Sequence, residues 1–286
     1  MIAYALRIFA GESRHLQRAK RTFGVTEGFK HTFARDVLVE FVGIWDTVSS
    51  VGWIYDPVIL PDEGRNPIIR VGRHAISIDE RRCQYHDKLW GKPFREDEPG
   101  YRCPQDIKQA WFAGAHSDVG GSYPEEQSGL SKLALEWMLC EANQHGLRID
   151  SSRARAVLDY PPRPQHGPSY VAPDPLAMVH NSLRGLWWML ELLPHTYYDK
   201  LTERRQWRFP LGSRRTITEY SRVHKSVEEK MASSQGYCPP NLPGSYFTEP
   251  RTEFPPPSRV QLRSSESKVE TASLSDRSRF SAIRSI

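Results

Sequence analysis

No long apolar run, no paired cysteines and no block of one charge stand out in this sequence, and each absence removes a class of function. Nothing approaches the roughly 18 uninterrupted apolar residues that a membrane-spanning helix needs, so no transmembrane segment is expected. The four cysteines, Cys83, Cys103, Cys140 and Cys238, lie far apart with no C-x-x-C pair. That excludes a zinc ribbon and a thioredoxin motif and fits a reduced, cytoplasmic setting. Met1 to Gly11 carries Arg7 inside its apolar stretch and lacks a basic start followed by a small-residue cleavage site, so it does not read as a signal peptide. Lys and Arg number 39 against 34 Asp and Glu, a mild excess mixed along most of the chain, and no nucleic-acid binder is expected from it. Nothing in the pattern specifies an oligomeric state.

Large apolar residues are also scarce, at 38% hydrophobic, while prolines are many at 22 among 286 residues. Part of the chain is therefore expected to be loop-rich or unfolded. The composition shifts at Glu249: Pro255-Pro256-Pro257 is followed by serines and scattered arginines with few large apolar residues. Such a segment buries too little surface to offset its ordering entropy. The expected organisation is one α/β domain over residues 1–248 and a disordered tail over 249–286.

Within the domain, Val37 to Val42 is a nearly continuous β-branched and apolar run, as expected of a central parallel strand covered on both faces. It leads into Gly43-Ile44-Trp45-Asp46-Thr47-Val48. A second strand, Gln109 to Ala113, leads into Gly114-Ala115-His116-Ser117-Asp118-Val119-Gly120-Gly121. A helix follows on Leu133, Trp137, Met138 and Cys140, with Ser131 as its expected cap and Gly146 as its stop. Another is predicted over Leu176 to Leu193, where apolar residues recur at three and four. Trp187 and Trp188, beside Leu186 and Met189, read as the core stripe of that helix, with a lipid-facing lid as the alternative. The proline-rich stretch from Ser151 to Pro175 reads as a surface excursion.

In open α/β sheets the reactive groups stand beyond the carboxyl ends of the strands, and Asp46 and His116 both occupy such positions. A carboxylate that fixes a histidine tautomer, and a histidine that takes a proton from a nucleophile, are the last two members of a hydrolytic triad. An Asp that caps a turn and a His that bonds the backbone remain the plain alternatives. His116 with Asp118 supplies only two metal ligands, too few to specify an ion, so neither metal nor cofactor is expected.

The stretches FVGIWDTVSSVG, RHAISIDERR, WFAGAHSDVGGSYPE and LSKLALEWMLCEA, then RVHKSV and YCPPNLP, run in this order through the chain. Together they resemble an α/β-hydrolase family that includes the type VI secretion phospholipase effectors and many fungal proteins, over most of Ile2 to Pro243. The resemblance implies a mostly parallel sheet flanked by helices, a lipid or other ester substrate, and Asp46 and His116 as triad acid and base. It also implies an Asp-Gly-Thr strand and a Gly-Phe-Ser-Arg-Gly nucleophile elbow, and neither appears in these residues. The expected fold is thus an incomplete α/β-hydrolase fold. Gly11-Glu12-Ser13-Arg14-His15 resembles the elbow, except that His15 stands where the second glycine lets the helix pass close to the sheet. Ser13 is the candidate nucleophile on that reading and an exposed helix serine on the other.

Overall fold

The fold is that of a computed structural model, which describes residues 28, 31–33, 35, 37–48, 52–53, 56–57, 65–160, 170–199, 204–233 and 236–254. In chain order the elements are β1 (Val39–Trp45), β2 (Gly52–Trp53), β3 (Asp56–Pro57), β4 (Ile69–Ser77) and β5 (Asp106–Phe112). There follow α1 (His116–Gly120), α2 (Gly129–Gln144), α3 (Ser151–Val157), α4 (Trp187–Glu191), β6 (His195–Asp199) and β7 (Arg204–Arg208). The last are β8 (Arg222–His224), α5 (Lys225–Ala232) and β9 (Phe247–Glu249). Short 3₁₀ turns at Cys83–Tyr85 and Glu125–Gln127 lie between them.

Five strands form one sheet in the order β1-β4-β5-β8-β9, every neighbouring pair parallel. Helices flank it, so the chain has an α/β fold. Both faces are covered, which is why β4 is buried without alternation from Val71 to Ser77. On one face Ala75, Ala110 and Phe112 pack with Leu133, Ala134, Trp137 and Met138 of α2. On the other, Ile76, Trp111 and Val223 pack with Val227 of α5. Two antiparallel pairs, β2 with β3 and β6 with β7, stand outside this sheet.

The predicted strands at Val37 and Gln109 become β1 and β5 with shifted ends, and β1, expected in the centre, stands at one end of the sheet among the described residues. The central strand β4 carried no strand prediction, because Arg73 and His74 interrupt its apolar run. Arg73 is nevertheless buried: its guanidinium meets Glu141 of α2 at 2.5 Å and Asp106 of β5 at 2.6 Å. Lys108 adds bonds to Glu141 and to Glu249 of β9, and Trp137 donates to Glu249 as well. Paired charges inside a sheet are tolerated only with this degree of satisfaction.

Several expectations need correction. Helix α2 starts earlier than predicted, and Ser131 does not cap it: its hydroxyl donates to Ser128 O, inside the first turn. Gly146 does end the helix, with φ +88°. The helix expected over Leu176 to Leu193 contracts to α4, because side chains from elsewhere hold the backbone and side chains between 176 and 186. His180 is bound by Asp118 and Ser182 by Glu80, and Gly185 takes φ +55°. The surface excursion begins with the helix α3, capped by Asp150. Ordered packing also runs past the boundary expected at 248, since β9 ends at Glu249 and Phe254 is fully buried against Cys140, Ala154 and Leu158. The chain divides after Pro256, and the remainder of the expected tail lies outside the described residues, as does Ser13.

Candidate active site

Asp46 is the first residue beyond β1. Its N–H still joins the ladder, donating to Ala75 O at 2.7 Å, but its φ of +42° turns the chain out of the sheet there. Aspartate tolerates that left-handed conformation better than most residues. The turn drives the side chain inward beneath the carboxyl edge of the sheet, where Asp46 is wholly buried.

Four groups meet its carboxylate. The Ser77 N–H donates to Oδ1 at 2.8 Å and the Ser77 hydroxyl to Oδ2 at 3.1 Å. The Arg215 guanidinium binds both oxygens, at 2.5 and 3.1 Å. His116 Nδ1 lies 2.6 Å from Oδ2. Burial alone would push the carboxyl up; the His116 hydrogen bond, the Arg215 charge and the Ser77 N–H outweigh it and bring the pKa down to about 2. An ionised carboxylate only accepts, so the proton of this bond belongs to His116 Nδ1, and the neutral ring with that tautomer carries its lone pair on Nε2.

His116 opens α1, four residues beyond the end of β5. The turn before it needs Gly114: φ is +115°, and a Cβ there would stand 2.4 Å from that of Asp118. Asp118 then accepts from the Ala115 N–H and binds His180 Nδ1 at 2.6 Å, while His180 Nε2 lies 2.9 Å from Gln127 Oε1. Its carboxylate is thus turned to His180 and not to a shared ion with His116. The His116 backbone N–H donates to Glu80, whose buried carboxylate also takes the N–H groups of Arg81 and Arg82, the Arg82 guanidinium and the Ser182 hydroxyl. Burial by itself would raise the Glu80 pKa, but these bonds hold it low. The Tyr85 ring stands edge-on to the His116 ring at 4.8 Å.

Both residues expected to share the site are therefore brought into hydrogen-bond contact. Arg215 and Glu80, which fix them, carried no comparable expectation: Arg215 arrives from a loop 169 residues along the chain from Asp46, and no spacing rule links them. Glu80 lies in the RHAISIDERR stretch and forms an ion pair with Arg82. His224 and Ser226 do structural work. The His224 ring stacks on Phe112 at 4.5 Å and accepts the Ser226 N–H at the start of α5.

Ser77 Oγ is committed to Asp46 and Ser182 Oγ to Glu80. The buried thiols of Cys83 and Cys140 are pushed up to about 12, chiefly by desolvation, too high to supply a thiolate. Among the described residues there is no group of three or more His, Cys, Asp or Glu able to hold a metal.

Residues 4–141 match the family model of the catalytic domain of Tle1-like phospholipase effectors of type VI secretion. The match supports that family, and it spans both Asp46 and His116. An uncharacterised protein of Saccharomyces cerevisiae is 41% identical over 66 residues, which are 22% of this chain and 10% of that protein. A solved uncharacterised protein from Pseudomonas aeruginosa is 24% identical and aligns over 42% of this chain and 21% of its own, with a TM-score of 0.29. The chain thus spans about a tenth of the curated relative and a fifth of the solved one.

Proposed function

We propose that this chain carries the acid and base of a phospholipid ester hydrolase of the serine type. The observation that carries the reading is the 2.6 Å contact between the ionised, four-fold-held Asp46 and His116 Nδ1, at the carboxyl edge of a parallel sheet. In that arrangement Asp46 orients the ring, and Nε2 takes the proton of an attacking hydroxyl and later returns it to the leaving alcohol. The phospholipase character rests on the family match.

The same reading holds that these 286 residues alone turn over little. They contain no Gly-x-Ser-x-Gly, so the strained turn that presents the serine and an oxyanion N–H is not supplied. A general base acting on water contributes about 10² to 10⁴, while loss of one oxyanion donor costs about 10² to 10³. On that arithmetic the chain could equally serve as a non-catalytic binding module.

The test is hydrolysis of a short acyl ester and of a phospholipid by the purified chain and by a chimaera bearing an elbow-containing strand–helix segment ahead of β1. The expected result is near-background turnover by the chain alone. The chimaera should be active and lose at least about 10²-fold on Asp46→Asn or His116→Ala. Turnover of the chimaera that ignores His116→Ala overturns the acid–base assignment. Robust turnover of the chain alone that vanishes with Ser13→Ala would make Ser13 the nucleophile.

A further inference from the structure

We propose that α4 and the loop after β7 form a docking surface for an anionic lipid bilayer, placed beside His116; this rests on the lipid reading above and extends it to how the substrate surface is met. The helix is inside-out for a helix in water. Its one acid, Glu191, is fully buried, accepting the N–H groups of Cys83 and Gly212 at 2.7 and 3.0 Å. Apolar residues in and beside it face outward: Leu186, its cap, is 79% exposed, Met189 63% and Leu192 60%, with Trp188 and Leu193 also in solvent, while Trp187 and Leu190 are half-buried. A charge spent inside to hold the helix, with Trp, Met and Leu outside, has no rationale in water.

The exposed group continues into the neighbouring loop. Leu211 N–H donates to Glu191 O, and the Trp188 ring lies against Gly212. Trp207, near the end of β7, and Phe209 and Leu211 beyond it are each more than half exposed. Glu191 thereby fixes both halves of the patch to one anchor, so that they are presented together.

Charge and position identify the occupant. Between 181 and 214 there are six Lys and Arg against three Asp and Glu, and one of the three acids is the buried Glu191. Arg184 is exposed next to Leu186. Exposed Trp and Leu bordered by cations match the interfacial layer of an anionic membrane, where rings sit among headgroups and cations meet phosphates. The inner edge of the patch reaches the site: Trp187 stands edge-on to Tyr85 at 5.7 Å, Tyr85 edge-on to His116, and the Arg82 guanidinium covers both Tyr85 and Trp187.

The test is co-sedimentation of the whole chain with vesicles of phosphatidylcholine alone and with a quarter phosphatidylglycerol, together with tryptophan emission. The chain is expected to partition onto the anionic vesicles, more weakly at high salt, with a blue-shifted emission. The doubly substituted Leu186→Glu, Met189→Glu chain should lose about tenfold or more of that partition, since two apolar side chains that enter the interface are replaced by charges, while retaining the thermal melt of the parent because both positions are exposed. Leu147→Glu, at an exposed site beyond α2, and His116→Ala should bind as the parent does. Absence of binding by the parent, equal binding of the double variant, or indifference to phosphatidylglycerol overturns the proposal. So does a dimer of the parent that the double variant abolishes without any vesicle binding, which would make a second copy the occupant. Sedimentation reads binding without turnover, so its failure leaves the acid–base reading standing, and binding without hydrolysis in the chimaera does the reverse.

Discussion

Mild acid should unfold this protein through His74, a residue that builds the site without touching the reacting groups. His74 lies in β4, fully buried, and its Nε2 accepts the Thr47 N–H at 3.1 Å, fastening the residue that follows Asp46. That bond requires a neutral ring. Burial holds its pKa down at about 4 against 6.5, with the nearby Asp46 charge opposing. His224 is held at about 3, again by burial and then by Arg251. Between pH 6.5 and these values the unfolded chain binds protons that the folded one refuses, so stability falls as pH falls. At about 1.4 kcal/mol per unit, each histidine costs about 3 kcal/mol by pH 4, and the two together rival a typical whole-domain stability of about 5–15 kcal/mol. Asp118 and Glu136, whose carboxyls burial holds above their ordinary range, act in the opposite sense and reduce the net loss. The stabilisation from Asp46 is present above pH 3.8 and is lost only as pH falls from there toward about 2.

Urea unfolding followed by circular dichroism from about pH 7 to about pH 4 should therefore show the midpoint falling by about 1–2 M. His74→Gln, which keeps an acceptor for Thr47 but does not titrate, should remove about half of that dependence, whatever it costs at neutral pH. A midpoint that stays flat down to pH 4.5, or an unchanged slope in His74→Gln, would refute the reasoning.

Two further outcomes follow from the site's supports. Arg215→Met should destabilise by about 3–5 kcal/mol at pH 7, because it strands a buried carboxylate, and adding Asp46→Asn should recover part of the loss; a change under about 1 kcal/mol in urea midpoints counts against a paired role. Gly114→Ala should cost about 2 kcal/mol or more and disturb the His180 ring, followed by its imidazole NMR signals, since φ +115° and the 2.4 Å approach to Asp118 leave no room for a methyl group; a neutral effect would show that the turn relaxes.

The α/β class, the strands β1 and β5, and the placement of Asp46 and His116 at one edge were legible in the chain itself. Apolar runs that end in small and polar residues encode them locally. Helix α2 was legible for the same reason, apart from its cap. What local pattern did not reveal depends on partners distant in sequence. Strand β4 hides behind Arg73 and His74, whose burial makes sense only once Glu141, Asp106 and Thr47 are in place. The apolar periodicity of Leu176 to Leu193 predicted a buried helix, yet Asp118 and Glu80 capture that segment, and Glu191, a residue that polarity assigns to solvent, is drawn inside. Arg215 is the extreme case, a residue in a loop whose guanidinium closes the Asp46 pocket. Residue types and periodicity determine which segments become strands and helices, because those preferences are local. Which carboxylate holds which cation, and which apolar face is left in solvent, is decided only when the packed chain brings the groups together, since desolvation and charge pairing act between neighbours in space.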